Sequence, residues 1–588
     1  MTDPASLLPL AVLLPLGAAA ALLMLSHWLP PRSADLAATI VSLLLALFCG
    51  WLAWRGLNQP LIHWFAGWTP ASAGRPDVRL GISFVADAPS AAVSALYALL
   101  FAASFVFSWG YFDKVHAHFQ VLMLLFLAAM IGFCMTRDLF NLFVWFELMS
   151  IAAFALTAYP LRESSLEGAL NFIVTNTIAS FSMLMGIGIL YARTGTLDFA
   201  LMAQALAGHG GALAAGGFCL LAFALLTKAA IVPFHFWLSD AHAVAPSPVS
   251  VIFSGAMVSA GCFGLFKIVI GIFPLDRAVI AFVHDGLPWF GIVTAILGGL
   301  TAWAQRHLKR LLAFSTIAHL GIVLVGVATL TPEGEAGMLL YIGGHGLIKG
   351  ALFMIAGILL ARFNSCDEIA LYGRGRALWP AGLAMGVGAL LLANAPVGLL
   401  YRAGDVIDNA LGWRAESIAA VLSSALTGGA LLRAAARIFL GCSGAPGPER
   451  SAPTEREREK SDRPLWLMLL PCCLLLVLAL LPANLLEPFL RRAARNLLTA
   501  SNMHPAVMNG APPDALTPSA FLTPGLAVAL ALLSILRLRP VGRFARFAAR
   551  LETLPFRVLH ILHSGLVTDY VMWMALGLSA IAMVFYLR

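Results

Sequence analysis

A few ionisable side chains lie inside apolar stretches of this chain, where a charge is costly. Glu147 stands in FNLFVWFELMSIAAF, and Lys228, Lys267 and Lys349 are three of only six lysines in 588 residues. At mid-depth in a bilayer, a charged side chain costs roughly 2.5–3.5 kcal/mol on insertion scales. Ionisable residues in such positions are therefore candidates for ion or proton transfer.

The spacing of these residues favours a proton relay. Lys349 follows His345 by four residues in YIGGHGLIKGALFMIAG, so both lie on one helical face, and His319 stands in the preceding apolar stretch. Histidine exchanges protons readily near neutral pH. We expect Glu147, Lys228, His319, His345 and Lys349 to line one buried route across several helices.

Glu147 and Lys228 together would make a switch. Burial disfavours a charged lysine, and a nearby carboxylate favours it. If Glu147 pairs alternately with Lys228 and with another charge, Lys228 alternately holds and releases a proton. In ALLTKAAIVPFHFWLSDAH, Pro233 has no N–H for the carbonyl of Ala229, so we expect a break in the helix near Lys228. Broken helices at mid-membrane often form ion sites in transporters.

Each candidate also has a structural interpretation. Glu147 and Lys228 would then be a static ion pair, and His319 would only hydrogen-bond between helices. Lys267 ends an apolar stretch in GLFKIVIGIF, so its long side chain could reach the membrane surface.

The elements that position these residues are membrane-spanning helices. The chain is 60% hydrophobic and 11% charged with a mean hydropathy of +0.88, which is too apolar for one water-soluble core. Apolar stretches recur from end to end, and we predict an all-α polytopic protein with about sixteen spans. The first span has no basic segment before it and no cleavage site, so we expect it to be retained.

The basic residues fit a membrane topology better than a nucleic-acid surface. The net charge of +8 comes from residues scattered among short loops, with no basic patch interleaved with aromatics. With the N-terminus outside, most Lys and Arg residues fall on the inner side. We therefore predict a multi-pass cell inner membrane protein with both termini on the outer side and no nucleic-acid partner.

No cofactor or metal site is predicted. The eight cysteines lie in or beside apolar stretches, without a CxxC pair or a histidine at ligand spacing, and are expected to pack. The chain has no P-loop and no glycine-rich dinucleotide motif. Any redox chemistry would have to lie in partner subunits.

One polar segment and one amphipathic segment lie between the spans. The first, GAPGPERSAPTEREREKSDRP, is rich in proline, serine and charge and predicts a solvated inner loop. The second, at 541–563, places Phe544 and Leu551 opposite Arg543 and Arg550, which is typical of a helix lying on the membrane surface before the last span.

Several motifs resemble those of one family. FVADAPSAAVSALYALL, NLFVWFELMSIAAF, KAAIVPFHFWLSDAHAVAPSPVSVIFSG, KRLLAFSTIAHLGIVLVG and HGLIKGALFMIAG resemble the antiporter-like membrane subunits of respiratory complex I, of membrane-bound hydrogenases of the formate hydrogenlyase and hydrogenase-4 type, and of Mrp-type Na+/H+ antiporters, where the D component is the similar one.

The resemblance implies a fold of two inverted five-helix repeats, each with one discontinuous helix. The expected units are N-terminal helices 1–110, a first repeat 111–275, a second repeat 285–441, a polar inner loop 442–463 and C-terminal helices 464–588.

The resemblance also implies roles for particular residues. Glu147 would pair with Lys228, and His345 and Lys349 would belong to the axis that connects the two repeats. Two departures stand out: Ser259 occupies a position where the family usually has a lysine or histidine, and the twelfth span, LLANAPVGLLYRAGDVID, has lost the family's pattern. The weaker site candidates are Lys267, Arg402, Asp405 and Asp87.

We therefore expect a membrane protein that moves protons through a buried Glu–Lys–His relay. It would work with other membrane subunits in a complex of the complex I or hydrogenase type, as part of a proton-translocating NADH:quinone oxidoreductase or hydrogenase, without a catalytic redox site of its own. The alternatives are a D-like component of a multisubunit Na+/H+ antiporter and a membrane scaffold that has lost translocation.

Overall fold

The computed structural model describes residues 4–28, 30, 32–67, 81–110, 117–161, 163–207, 210–411, 414–442, 463–500, 518–536 and 567–586. In this part the chain is mostly helical. The helices, in chain order, are α1 (Leu10–Leu25), α2 (Ser33–Gly56), α3 (Ala88–Phe107), α4 (His118–Met135), α5 (Leu139–Ala158), α6 (Glu163–Thr194), α7 (Phe199–Leu206), α8 (Gly211–Lys228), α9 (Phe236–Val244), α10 (Ser247–Ile272), α11 (Arg277–Ala304), α12 (Leu308–Ala328), α13 (Pro332–Phe363), α14 (Trp379–Leu392), α15 (Gly398–Leu411), α16 (Arg414–Ala435), α17 (Leu465–Ala479), α18 (Glu487–Ala500), α19 (Leu522–Leu536) and α20 (Val567–Tyr586).

The polytopic helical fold predicted from composition is confirmed. Among the described residues, 14 helices are long and apolar enough to cross a membrane, and α17 and α19 are shorter apolar helices at two further predicted spans. The total of about sixteen spans stays a prediction. Residues 443–462 of the polar loop and the whole 541–563 segment lie outside the described residues.

One small sheet was not predicted. Strand β1 (Leu61–Trp64) pairs antiparallel with β2 (Ser83–Ala86), between α2 and α3. Four-residue strands give too little alternation to stand out in such an apolar sequence. Phe84 also bridges to Thr136, just beyond α4. This sheet therefore marks one end of the helix bundle, which we call the hairpin end.

Short polar side chains near the hairpin end cap the N-termini of several helices. Asp87 accepts a hydrogen bond from the Ser90 N–H at 2.8 Å to start α3, and Asp138 accepts one from the Asn141 N–H at 2.7 Å to start α5. Thr331 starts α13 in the same way, with Pro332 in the first helical turn. Such caps satisfy N–H groups that have no partner within the helix.

The centre of the bundle is formed by α10, α12 and α13, which other helices cover almost completely, whereas α1, α2 and α20 are largely exposed. Lys228, His319, His345 and Lys349 have no exposed surface. The core helices thus carry most of the predicted relay.

Two helices are interrupted in similar settings. α8 stops at Lys228 and the chain becomes helical again in α9, and α14 stops at Leu392 before α15 begins. Isolated bridges link Asp138 to Asp198 before the first break and His307 to Asp367 before the second. This supports two similar units, but their inverted relation and the predicted domain boundaries stay predictions.

Candidate functional site

The break after α8 is built from several hydrogen bonds. Trp237 donates its indole N–H to the Thr227 carbonyl at 2.9 Å, and the Val232 N–H donates to the Thr294 hydroxyl of α11 at 3.1 Å. Pro233 lies inside the break and follows a cis peptide bond. The backbone groups that the broken helix leaves free are thus partly satisfied by neighbours.

Lys228, at the last residue of α8, reaches towards α5. Its Nζ donates a hydrogen bond to the Ser150 hydroxyl at 2.6 Å and lies 4.3 Å from the centroid of the Phe146 ring. The Ser150 hydroxyl in turn donates to the Phe146 carbonyl at 2.7 Å. The ammonium therefore rests on a neutral hydroxyl and an aromatic face.

Glu147 lies one turn before Ser150 on α5. Its carboxylate accepts a hydrogen bond from the Ser180 hydroxyl of α6, and its charge acts on Lys228. Glu147 and Lys228, both described, do not form an ion pair within 4.0 Å. The two residues that the resemblance pairs are thus neighbours, each held by a serine.

The second cluster lies on α12 and α13. The Nδ1 atom of His319 is 2.8 Å from the Tyr341 hydroxyl, and its Nε2 atom is 3.1 Å from the Thr427 hydroxyl. The rings of His319 and His345 are 5.6 Å apart between centroids. Within the described residues, neither ring nitrogen of His345 has a hydrogen-bond partner. The cluster therefore includes a buried histidine whose ring nitrogens are not engaged by other described residues.

Lys349 completes this cluster. Its Nζ donates to the Leu312 carbonyl at 3.1 Å and to the Ser315 hydroxyl, both on α12. Like Lys228, this buried lysine is held by neutral oxygens of a neighbouring helix.

His242 was missed by the sequence analysis. It lies on α9, just beyond the break, and its ring stacks on Phe353 with 4.5 Å between centroids. Its side chain is completely buried, and neither ring nitrogen has a partner in the described part of the chain. The charges of Lys309 and Lys349 act on it. His242 thus lies in the segment after Lys228 and within reach of the charge of Lys349 in the second cluster. The sequence could have indicated it, because it is a histidine in the quoted motif that follows the predicted break.

Lys267 has a different environment from the other buried lysines. Its Nζ donates to the carbonyls of Phe133, Cys134 and Thr136 at 3.1, 2.6 and 2.9 Å. These carbonyls end α4, where a cation is favourable. The alternative of a side chain reaching the membrane surface is wrong, because Lys267 is 1% exposed.

The remaining weaker candidates form ion pairs. Asp87 pairs with Arg137 at the hairpin end. On α15, Arg402 donates to Asp405 at 3.0 Å and to Glu487 of α18 at 2.7 Å. Asp408, one turn after Asp405, was not predicted.

Asp408 extends the second cluster towards α15. Its charge acts on Tyr341, which contacts His319, and its side chain hydrogen-bonds Ser417. Asp408 is the last residue of the twelfth-span stretch quoted above, but spacing alone gave no sign that it would lie near Tyr341. Among the described residues, no group of three His, Cys, Asp or Glu side chains could hold a metal ion.

Comparisons with known proteins identify the family of this chain. Residues 136–428 match the family described as NADH:quinone oxidoreductase/Mrp antiporter, TM. The chain is 32% identical over 309 residues to the N subunit of NADH-quinone oxidoreductase from Desulforudis audaxviator, covering 51% of this chain and 59% of that relative. It is 30% identical over 393 residues to the D subunit of the Na(+)/H(+) antiporter from Bacillus subtilis, covering 65% of this chain and 76% of that relative.

A solved structure shares the fold. A chain of the Mrp complex from Dietzia sp. DQ12-45-1b superposes with a TM-score of 0.72 at 24% identity, covering 86% of this chain and 99% of that one. The match to the oxidoreductase N subunit spans less than two thirds of that relative.

Proposed function

Because the chain belongs to the NADH:quinone oxidoreductase/Mrp antiporter family of transmembrane subunits, we propose that it translocates protons as one membrane component of a multisubunit complex. The observation that carries this proposal is the state of Lys228 and Lys349. Both have no exposed surface, and both donate to neutral oxygens of a neighbouring helix without a carboxylate partner in the described structure.

The energetics of these lysines support proton exchange. Removing an ammonium from water costs several kcal/mol, and neutral hydrogen bonds offset only part of that cost. The charged and neutral forms of such a lysine are therefore closer in free energy than in water. A small change in a neighbouring charge then decides whether the proton stays.

Glu147 supplies that change for Lys228. Its carboxylate rests on Ser180 and is half-buried beside Lys228. Movement of the carboxylate towards Lys228 holds the proton, and its return to Ser180 favours release towards His242 and the cluster of His319, His345 and Lys349. Lys228, His242, His319, His345 and Lys349 have no exposed surface, which keeps bulk water away from most of the relay.

Two driving forces fit the relatives. Their printed names are those of a quinone oxidoreductase component and an Na+/H+ antiporter component. In the first case electron transfer in partner subunits drives proton movement, and in the second the proton gradient drives sodium exchange. The main proposal is the redox-driven complex of the complex I or hydrogenase type, located in the cell inner membrane with both termini outside. The antiporter is the second candidate.

The partners decide between the two. The tagged chain, extracted in mild detergent from its own membranes, is analysed by mass spectrometry of co-purifying subunits and by an iron assay. Iron–sulfur proteins together with a hydrogenase-like or quinone-reductase-like protein support the redox-driven complex. Iron-free membrane partners alone support cation/proton exchange.

Point variants test translocation itself. Proton uptake by inverted membrane vesicles, driven by the electron donor or cation gradient that the partners indicate, is followed by quenching of an acridine dye. Lys228→Ala and Glu147→Gln are expected to abolish uptake while the complex still assembles. Glu167→Gln on the exposed side of α6 is the matched control. Unchanged uptake in both test variants would leave the scaffold interpretation.

A further inference from the structure

α3 carries a stripe of polar side chains that the relay described above does not use. Asp87, Ser90, Ser94, Tyr97 and Ser104 follow one another at intervals of three, four, three and seven residues. Those intervals place them on one face of a helix. All five are buried inside the bundle, so this stripe faces other helices and not lipid.

Within this stripe, Tyr97 lies opposite Ser259. The Tyr97 hydroxyl lies 3.1 Å from the Ser259 hydroxyl near the middle of α10, and Ser259 donates to the Ala256 carbonyl at 2.8 Å. Tyr97 is ten residues beyond Asp87, so the two are about 15 Å apart along the axis. This is half of a hydrocarbon core of about 30 Å.

From Tyr97 the stripe continues to the hairpin end. Ser94 donates to the Ser90 carbonyl at 2.8 Å, and the Ser90 hydroxyl has no partner within the described residues. Ser90 is joined through its N–H to Asp87, which pairs with Arg137. Arg137 lines a cavity of about 600 Å³ together with Asp198, Ser83 and Gln204. The polar groups thus reach from the bundle centre to a cavity at its end.

Glu335 stands beside this ion pair without a partner of its own. It lies in the first turn of α13 and is 1% exposed, and neither carboxylate oxygen accepts a hydrogen bond in the described structure. The charges of Asp87 and Arg137 act on it. An unsatisfied buried carboxyl is costly as a structural element and is therefore a functional candidate.

We propose that Tyr97, Ser94 and Ser90 form a proton path from Ser259 to the hairpin end, with Glu335 as its terminal proton-binding group beside Asp87 and Arg137. The hydroxyls of Tyr97, Ser94 and Ser90 each accept one proton and pass on another, for which Ser94 first turns away from the Ser90 carbonyl, and the Glu335 carboxylate takes up the proton and releases it to the cavity. The path deepens the proposed function and rests on it. It gives the first repeat its own route to the membrane side at the hairpin end. The route starts at Ser259, where the resemblance implies a lysine or histidine.

The vesicle assay tests the path with variants of the whole complex. Tyr97→Phe keeps the ring but removes the hydroxyl, and Glu335→Gln keeps the shape but removes the proton site. Both are expected to lower proton uptake about tenfold or more, whereas Glu335→Asp retains most of it. Ser104→Ala is the matched control, since Ser104 lies on the same stripe beyond Tyr97 and, among the described residues, donates only to the Pro248 carbonyl.

A second readout does not depend on transport. Infrared difference spectra recorded while the pH is changed should contain a protonated-carboxyl band that Glu335→Gln removes and Glu333→Gln keeps. Glu333 is a matched control because it lies two residues away and faces Arg495 at 3.7 Å.

The outcomes separate the two proposals. If Lys228→Ala abolishes uptake and Tyr97→Phe behaves like Ser104→Ala, the path is wrong and the proposed function stands. If Lys228→Ala leaves uptake unchanged, both are wrong. Should Glu335→Gln fail to assemble, Tyr97→Phe alone decides, because its volume is nearly that of the native side chain.

Discussion

The contact between Lys228 and Ser150 gives the sharpest test of the relay. Ser150→Ala removes the only neutral oxygen that the described structure places within hydrogen-bond distance of the Lys228 Nζ, at 2.6 Å. It leaves Glu147 and its bond from Ser180 in place. The substitution therefore changes the environment of the lysine without changing the number of charges in the site.

The size of the effect follows from the bond. A hydrogen bond to a charged group contributes about 1.5–3 kcal/mol, and about 1.4 kcal/mol corresponds to a factor of ten. The protonated lysine held on α5 thus becomes roughly 10 to 150 times less populated. The Phe146 ring, 4.3 Å from Nζ, still attracts the ammonium, so we expect the lower end, a roughly tenfold loss of proton uptake.

The control comes from the same helix. Thr157 is buried, and its hydroxyl donates to the Ala153 carbonyl at 2.8 Å, as that of Ser150 donates to the Phe146 carbonyl. Thr157→Val removes a hydroxyl with the same local bond but no lysine. Proton uptake in inverted vesicles is divided by the amount of assembled complex for each variant. If Ser150→Ala and Thr157→Val take up protons equally well while Lys228→Ala is inactive, the bond from Lys228 to Ser150 does not contribute to transport.

Three further predictions concern groups outside that contact. Lys267→Met should lower the melting temperature of the purified complex, because three carbonyls at the end of α4 lose their donor. Proton uptake per assembled complex should stay near that of the native protein. A loss of uptake without a loss of stability would contradict a capping role. Burial, with the charge of Asp198 adding to it, raises the pKa of Asp138 from 3.8 to about 6, against the opposing Asn141 N–H. The folded state therefore binds the Asp138 proton more tightly, and the stability from this residue is complete below about pH 4 and is lost as the pH rises through about 6. Asp138→Asn keeps the cap and should raise the melting temperature more at about pH 7.5 than at about pH 4.5, with at most about 3 kcal/mol gained; an equal gain at both values would exclude ionisation as the cause. Glu487→Gln should loosen α18, because Glu487 holds Arg402 at 2.7 Å and Arg491 at 2.6 Å. The measurement is proteolysis of α18, which should be faster in Glu487→Gln than in Glu167→Gln on the exposed side of α6.

The helical fold was predictable because apolar stretches of bilayer length are long and repeated, and the short β1–β2 sheet was not, because four-residue strands leave little pattern. The relay residues stood out for a similar reason: a Glu, Lys or His in an apolar span is rare enough to be noticed. Their roles stay predictions, since type and spacing say nothing of the neighbours.

What sequence could not supply are contacts between distant segments. Lys267 and Lys228 look alike in sequence, yet one caps α4 and the other rests on Ser150 of α5. Glu335 in the same way gave no signal, because its position near Asp87 and Arg137 depends on how α13 packs against α3. Residue type therefore identifies the charged groups, and tertiary packing decides what each of them can do.

The packing of α20 has a consequence for the order in which the protein is made. Tyr570 donates a hydrogen bond to Asp240 at 2.9 Å, and Gly577 lies directly against Pro233 and Phe234 in the break after Lys228. Tyr570 follows Lys228 by 342 residues (570 − 228), so at about 5–20 residues per second it leaves the ribosome roughly 17 to 68 s later. During that interval the break lacks its outer cover. The surroundings of the break after Lys228 are therefore complete only once α20 has been inserted.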